Sequence, residues 1–311
     1  MEFQHVSVLL EETIEGLNIR PDGIYVDGTA GGAGHSSQIA KRLSFEQGGR
    51  LIAIDKDPDA IQTATQRLAP YPAAQVVDGD FKDIPQILQR LGIPKVDGIL
   101  LDLGVSSRQL DTAERGFSYH FDSKLDMRMS QQGETAADLV NTESREELAR
   151  ILRDYGEEPY AWQIAGKIVE SRETAPILTT LQLADIVASA MPPAERRKNK
   201  NPSRRTFQAL RIAVNHELDA LEEGLDTIFD HLAPGGRLCV ITFHSLEDRL
   251  VKNKFRRWST ACTCPPEFPV CVCGGKAKAK LITRKPIEAD TQELEENRRS
   301  RSAHLRVLEK C

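Results

Sequence analysis

Residues 27–35 read Asp-Gly-Thr-Ala-Gly-Gly-Ala-Gly-His and directly follow a short apolar run, Ile24-Tyr25-Val26. We call residues 27–35 the glycine loop. Glycines allow a tight turn and a close approach of ligand to backbone, and the N–H groups that open a helix face such a ligand. A strand, a glycine-rich turn and a helix in this order are typical of nucleotide-binding sheets. A purely structural turn is the alternative, so the surrounding pattern has to decide.

The apolar run before the glycine loop is the first of four that lead into acidic residues. These acids are Asp27, Asp55, Asp80 and Asp102, and they lie 22 to 28 residues apart. That spacing has room for a strand, a crossover helix and two loops, and near-continuous apolar runs are typical of strands buried on both faces. The pattern predicts an α/β fold with a doubly wound, mostly parallel sheet.

The strand pattern stops between residues 108 and 210, where helix-like segments follow one another. It resumes after an acidic helix over 213–232 and a Pro-Gly-Gly turn at 234–236, with strands over 237–243 and 303–308. We therefore predict a core formed by 1–107 and 211–311, and an inserted helical substrate-recognition domain over 108–210.

Composition excludes several protein classes. The 311 residues are 40% hydrophobic and 28% charged, which is ordinary globular usage. No run approaches the ~18 apolar residues that a membrane span needs, and the N-terminus has neither the basic region nor the cleavage site of a signal peptide. The cytoplasm is the predicted compartment. The net charge of −5, taken alone, argues against a nucleic-acid partner.

The acids at the strand ends predict a cofactor. Asp55 stands where a carboxylate can accept both hydroxyl groups of a ribose, which suits a dinucleotide or S-adenosylmethionine. Asp27 favours S-adenosylmethionine, because a carboxylate is tolerable beside an ammonium or sulfonium and unfavourable beside a diphosphate. Asp80 and Phe81 offer an acceptor for an adenine amine and an aromatic face, although Phe81 fits a core position equally well.

Asp102 ends the fourth apolar run, at the crevice where a substrate would meet the cofactor. Methyl transfer to an exocyclic base amine requires that the nitrogen lone pair be freed from the ring. An acceptor aimed at the N–H, such as Asp102 or a neighbouring carbonyl, would hold and polarise the amine. The alternative for Asp102 is a helix cap or a loop acceptor.

Seven longer motifs resemble those of the bacterial RsmH/MraW family, and the similarity runs from His5 to about Val307. The motifs are 27–36 (DGTAGGAGHS), 53–57 (AIDKD), 98–110 (GILLDLGVSSRQL), 113–118 (AERGFS), 125–129 (LDMRM), 205–215 (RTFQALRIAVN) and 232–249 (LAPGGRLCVITFHSLEDR). Their length, order and mutual spacing are far more specific than a glycine loop alone.

The resemblance implies a class I methyltransferase core, S-adenosylmethionine as cofactor, and methyl transfer to cytosine N4 in the decoding region of 16S ribosomal RNA. The implied partner is small-subunit ribosomal RNA or the assembled subunit. The sequence leaves open which of the two is the substrate and whether the chain forms a homodimer. The implied cofactor contacts are Ala33, Gly34, His35, Asp55, Phe81, Asp102 and Gln109. Ala33 stands where a glycine is expected.

Several residues are candidates for holding the base. Leu103-Gly104-Val105 follow Asp102, so that loop contributes no ring, and Phe117, Tyr119 and Phe243 fit a core as well as a base pocket. His244 is a candidate catalytic residue that would line the base pocket, with Arg249 as a phosphate contact. The alternative is that Ser245 caps a helix with Asp248 at its third position, while His244 satisfies backbone groups.

Basic and acidic residues are concentrated in different segments of the chain, which the net charge does not show. Residues 195–211 hold seven basic side chains and one acid, and 249–257 and 276–285 hold five basic side chains each and no acid. Residues 213–230 hold six acids and no Lys or Arg. The basic runs favour a phosphate-binding surface over a merely solvated face. The chemistry would require a flipped or single-stranded cytosine.

Four cysteines, Cys262, Cys264, Cys271 and Cys273, form a C-x-C-x₆-C-x-C cluster. Four thiolates can bind zinc, but structural zinc sites usually leave at least two residues between paired cysteines. A reduced, proline-rich loop is the alternative, and no metal is assigned.

Two other functions are compatible with parts of the sequence. A small-molecule methyltransferase or a nicotinamide enzyme would explain the glycine loop but leave the basic runs and the insert without a role. A ribosome-assembly or RNA-binding factor with a vestigial cofactor site would require a blocked Asp102 loop.

Overall fold

The computed structural model describes residues 7–198, 201–262, 264 and 275–311. The chain divides into two compact units, the first made of Met1–Gly104 with Asp219–Cys311 and the second of Val105–Leu218. The predicted insert, 108–210, lies within the second unit.

The first unit is built on one seven-stranded sheet. Its strands are β1 Ile24–Asp27, β2 Arg50–Asp55, β3 Ala74–Asp78, β4 Val96–Asp102, β5 Leu232–Thr242, β6 Ala279–Leu281 and β7 His304–Lys310. The order is β3-β2-β1-β4-β5-β7-β6. All pairs from β3 to β5 are parallel, whereas β7 is antiparallel to β5 and β6 is antiparallel to β7. The predicted doubly wound, mostly parallel sheet is confirmed.

Helices cover both faces of this sheet. They are α1 Leu10–Leu17, α2 Gly34–Ala40, α3 Pro58–Leu68, α4 Ile84–Arg90, α12 Glu217–Asp230, α13 Ser245–Ser259 and α14 Thr291–Glu296. Neighbouring strand residues enter different apolar clusters: Val26 and Ile99 pack in one, Tyr25 and Leu100 in the other. Strands buried on both faces explain why the sequence shows apolar runs rather than alternation.

Two predicted boundaries near β5 are wrong. The Pro-Gly-Gly stretch at 234–236 lies inside β5 as an irregularity, since β4 pairs Val96 with Leu232 and then Gly98 with Arg237. Gly235 has φ +78°, which glycine adopts without strain. The acidic helix begins at Glu217 and not at 213, because α11 (Arg204–Asn215) ends first and His216 takes φ +50°.

The second unit is helical in the part that the structure describes. Its helices are α5 Ser107–Asp111, α6 Ala136–Thr142, α7 Arg145–Gly156, α8 Ala161–Thr174, α9 Thr180–Ala190, α10 Pro193–Lys198 and α11, with the start of α12. Hydrogen bonds join three of the family-like motifs within the second unit. The Arg115 guanidinium donates to the carbonyl oxygen of Met129, and the Asn215 side chain bonds the backbone of Met127 and Met129. None of the helices described for this chain is long and apolar enough to cross a membrane.

Candidate active site

The acids that end β1, β2 and β4 lie at one edge of the sheet, because parallel strands end on the same side. Asp27 is in register with Ala53 on β2, and Asp102 with Ile241 on β5. The glycine loop is fixed to this edge by two backbone bonds, Gly28 N to Leu100 O and Ala30 N to Ile54 O. The strand-end acids and the glycine loop therefore lie together at the edge where the sequence predicts a cofactor site.

Asp27 holds the glycine loop in shape. Its side chain is 1% exposed and accepts hydrogen bonds from the Ser36 hydroxyl at 2.6 Å and from the Thr29 N–H at 3.2 Å. Burial raises the pKa of Asp27 to about 6. These contacts favour a structural role over the predicted contact with the cofactor.

Asp55 joins β2 to the loop. Its carboxylate accepts from Gly31 N at 2.7 Å and from Asp57 N at 2.9 Å, and burial raises its pKa. Each oxygen keeps lone-pair capacity for a further donor. The structure places Asp55 beside the glycine loop, the position that the ribose contact requires.

The glycines of the loop divide into two kinds. A Cβ on Gly28 would lie 2.7 Å from Leu101, and one on Gly34 would overlap the Ser7 hydroxyl, so both are packed. Gly31 has φ +51°, and a Cβ added there would meet only the Thr29 carbonyl oxygen, in ordinary contact at 3.8 Å. Ala33 has φ +58°, the left-handed region that glycine prefers, which is the physical reason that a glycine is expected there.

Gly34→Ala is expected to destabilise the first unit by about 1–3 kcal/mol through overpacking against Ser7. The displaced segment also carries the Val8 carbonyl, which lies 3.0 Å from the His35 ring, so affinity for S-adenosylhomocysteine should fall as well. Gly92→Ala is the control: Gly92 has φ +67° with no atom within 4 Å of an added Cβ. This variant should lose about 1 kcal/mol of its free energy of unfolding and keep its affinity for S-adenosylhomocysteine. Thermal unfolding and calorimetric titration measure both, and equal affinities in the two variants would contradict this account.

Asp102 is the chemically distinctive residue of the site. Its backbone N–H donates to the Thr29 hydroxyl at 2.6 Å, which ties β4 to the glycine loop. Oδ2 lies 3.6 Å from His35 Nδ1, whereas the buried Oδ1 has no hydrogen-bond partner among the described residues. Burial, and then the charges of Asp27 and Glu247, raise the pKa of Asp102 to about 8. A carboxyl group with a raised pKa and a partly exposed side chain is a candidate for proton transfer.

The alternative predicted for the segment after β5 is wrong in its details. His244, and not Ser245, is the N-cap of α13, and its side chain accepts from Glu247 N. Asp248 pairs instead with Arg306 at 2.7 Å. Glu247 accepts from Phe243 N at 2.8 Å, and its other oxygen lies 3.1 Å from His244 Nε2. We did not predict Glu247, although a glutamate three residues after a cap position is a known signal.

Other predicted site residues have structural partners. Asp80 pairs with Lys56 at 2.9 Å and caps the short turn Phe81–Asp83. Phe81 is 9% exposed and packs in the core of the first unit. Gln109 belongs to the second unit, where it closes a capping box with Ser106.

The aromatic candidates for base stacking also lie in packed surroundings. Phe117 is in the core of the second unit, and Tyr119 packs there with its ring 5.3 Å from that of Phe207. Phe243 packs partly buried against the core of the first unit. Trp258, adjacent to a basic run, is buried and stacks on Phe229 at 4.3 Å.

Part of the basic charge is neutralised. Lys254 pairs with Asp226 at 2.6 Å, and Arg211 pairs with Glu217 at 2.8 Å. Lys200 and the side chains of Arg197 and Lys198 lie outside the described residues.

The cysteine cluster is only partly described. Cys262 is exposed and Cys264 half-buried, whereas Cys271 and Cys273 lie outside the described residues. Elsewhere in the described chain, no group of three His, Cys, Asp or Glu side chains has the geometry of a metal site.

The site fits S-adenosylmethionine. Gly31 is loosely surrounded, Asp55 accepts from its N–H, and the Asp102 side chain is 25% exposed at the same edge. Three carboxylates at one edge favour a cationic ligand, such as a sulfonium with an ammonium group, and disfavour a diphosphate.

Known proteins place these features in one family. The sequence profile of the MraW methylase family matches residues 2–311. Ribosomal RNA small subunit methyltransferase H of Lachnospira eligens is 59% identical over 312 residues, covering 100% of this chain and 98% of that protein. The protein of the same name from Paenibacillus sp. is 55% identical, covering 99% of each. Among solved structures, an rRNA methylase from Streptococcus thermophilus matches with a TM-score of 0.44 and 10% identity, over 98% of this chain and 97% of that one. By the whole-length profile match and relatives above half identity, this chain belongs to the MraW methylase family.

Proposed function

We propose that this chain transfers a methyl group from S-adenosylmethionine to the exocyclic N4 of a cytosine in the decoding region of 16S ribosomal RNA, giving N4-methylcytidine. Membership of a methylase family confirms the predicted methyltransferase activity and cofactor. The names of the relatives support ribosomal RNA of the small subunit as substrate. The observation that carries the choice of an amine is the Asp102 carboxyl group, whose side chain is 25% exposed at the acidic edge of the sheet and whose pKa is raised to about 8.

The chemistry defines what the chain itself must do. When bound, S-adenosylmethionine supplies an electrophilic methyl group on a sulfonium. An exocyclic amine must be held with an N–H pointing at an acceptor, so that its lone pair is freed from the ring and its surplus proton has a destination. The Asp102 carboxylate serves both needs: it accepts the N–H hydrogen bond and then the proton. The backbone at Gly31 and the carboxylate of Asp55 would hold the cofactor.

The RNA requires cations, and α13 supplies them on the first unit. Lys252, Arg256 and Arg257 are exposed on this helix, which starts at the site after Phe243. Lys278 N bonds Trp258 O at 2.8 Å, so the exposed Lys276 and Lys278 lie near the end of the same helix. Unburied cations of two basic runs thus come together, and they fit a phosphate backbone. We propose that the second unit contributes substrate recognition.

The test is methyl transfer from labelled S-adenosylmethionine to small subunits, and separately to their free RNA, both from cells that lack this protein. Nucleoside analysis should show N4-methylcytidine. Activity on one substrate and not on the other identifies the form that is recognised. Folded protein that binds S-adenosylhomocysteine but forms no N4-methylcytidine on either substrate would refute the proposal, and would favour an assembly factor with a vestigial site.

One further prediction accompanies this function. The cytoplasm is the compartment in which we place the enzyme, since small-subunit RNA is its proposed substrate. Light scattering of the purified chain decides between the monomer and the homodimer that the sequence leaves open.

A further inference from the structure

Trp162 lies near the start of α8 in the second unit, and 49% of its side chain is exposed. The other tryptophan of the chain, Trp258, is buried and stacked on Phe229. Single exposed apolar side chains are ordinary on protein surfaces, so exposure alone assigns no role to Trp162. What distinguishes this residue is the guanidinium of Arg145, whose Cζ lies 4.2 Å from the centroid of the indole ring.

Gly166 makes the room for this guanidinium. It follows Trp162 by one turn of α8, and a Cβ added there would lie 2.7 Å from Arg145 Nη2, 2.9 Å from Cζ and 3.0 Å from Nε. Arg145 is the first residue of α7, and its Nη2 donates to the Trp162 carbonyl oxygen at 3.4 Å. The guanidinium is therefore held beside the ring by the backbone of α8, where a larger residue than glycine would displace it.

The positive charge of Arg145 is not neutralised by an ion pair with any residue that the structure describes, and its Nε is shielded from solvent without a hydrogen-bond partner. Arg150 on the same helix shows the contrast: it lies 5.5 Å from the Tyr155 ring but also pairs with Glu147 at 2.6 Å. Glu146 follows Arg145 directly, and successive residues of a helix do not face each other. A cation at the N-terminus of a helix is disfavoured by the helix dipole, so an anion beside Arg145 would be stabilised.

We propose that Trp162 and Arg145 form a nucleotide-binding platform, on which an unpaired base of the ribosomal RNA stacks on the indole while a neighbouring phosphate approaches the guanidinium. This inference rests on the proposed function, which supplies the RNA. Because the guanidinium covers one face of the indole, the exposed part lies on the opposite face and the ring edge, where a base can stack.

The chemistry of the pair favours RNA as the occupant. Single-stranded nucleic acid is bound by aromatic rings, on which any base can stack, together with cations that meet the phosphates and polarise the stack. One indole with one unneutralised guanidinium beside it offers both contacts within the span of a nucleotide. An apolar protein surface would use the ring and leave the charge of Arg145 without a partner.

Trp162→Ala is expected to weaken binding of a single-stranded oligoribonucleotide by about fivefold to hundredfold, the usual effect of losing one stacked base. Trp162→Tyr keeps a ring and should retain most of the affinity. Phe121→Ala is the matched control, since Phe121 is 53% exposed in the same unit and has no guanidinium over its ring among the described residues. Filter binding gives the affinities, and S-adenosylhomocysteine should bind all three variants as it binds the wild type.

Arg145→Gln should lower the slope of the logarithm of RNA affinity against the logarithm of salt concentration by about 0.7, the share of one phosphate contact on a single strand. Arg150→Gln, which removes an arginine that already has a carboxylate partner, should leave the slope unchanged.

Gly166→Ala separates binding from folding. Alanine is preferred to glycine inside a helix, and the atoms it would displace are the end of a flexible arginine side chain. The variant should therefore unfold at the wild-type temperature or above it, yet bind the oligoribonucleotide more weakly than the wild type.

Fluorescence of the wild-type chain needs no variant. RNA should quench Trp162 and protect it from acrylamide, whereas Trp258 is already shielded by burial. A wild-type chain that binds no oligoribonucleotide, bound RNA that leaves Trp162 open to acrylamide, or a Trp162→Ala variant with wild-type RNA affinity would each overturn the inference. A loss confined to assembled subunits would show a protein contact and overturn it as well. Absence of N4-methylcytidine with RNA binding intact would instead refute the proposed function.

Discussion

Asp102→Asn is expected to lower kcat by about two to four orders of magnitude, the usual contribution of a general base. The amide has the shape of the carboxyl group and can still accept a hydrogen bond, but it cannot take up the proton of the amine. Affinity for S-adenosylhomocysteine should change much less. Single-turnover methyl transfer and calorimetric titration separate the two quantities.

Asp97→Asn is the matched control for this prediction. Asp97 lies on the same strand, near its other end, where its carboxylate accepts from Ile24 N and pairs with Arg20 at 2.7 Å. The variant should lose some stability and keep its kcat. A kcat for Asp102→Asn within tenfold of the wild-type value would show that Asp102 is not the proton acceptor.

Asp55→Ala is expected to weaken binding of S-adenosylhomocysteine by about tenfold to hundredfold. A hydrogen bond to a charged group contributes about 1.5–3 kcal/mol, which corresponds to that range. At saturating S-adenosylmethionine, kcat should approach the wild-type value, because Asp55 does not meet the reacting amine. Titration gives the affinity, and kinetics at several cofactor concentrations give kcat.

Asp78→Ala controls for the loss of a carboxylate from this edge. Asp78 is the exposed register partner of Asp55 on β3. Its replacement should leave cofactor affinity unchanged. If Asp55→Ala and Asp102→Asn lost affinity equally, the division of roles between binding and proton transfer would be wrong.

The sheet and its acidic edge could be predicted from the sequence because both follow from local patterns. A strand that is buried on both faces has a recognisable run of apolar residues in the sequence, and the acid at its end directly follows that run. The family resemblance was confirmed along the whole chain. Asp55 and Asp102 could be identified as candidates without knowledge of distant contacts, because each ends an apolar run.

The contacts that give those residues their properties could not be predicted. The His35 ring meets Val8 and Asp102, which are far apart in sequence, and no periodicity encodes their approach. The cap of α13 was misplaced by one residue, because histidine is not among the preferred cap residues. The pairing of Lys254 with Asp226 depends on how two helices pack. The sequence alone therefore counts Lys254 among the unpaired cations of the basic run 249–257.

The bond between Leu9 and Glu293 joins residues 284 positions apart, and it has a consequence for how the enzyme is made. Synthesis proceeds from the N-terminus, so Leu9 is translated 284 residues before Glu293, to which it binds. Strands β4 and β5, which carry Asp102 and lead into His244, are likewise neighbours in space that are separated in time by the whole second unit. The strand pairing beside Asp102 therefore forms only after β5 has been translated, and the bond between Leu9 and Glu293 only after α14 has been translated.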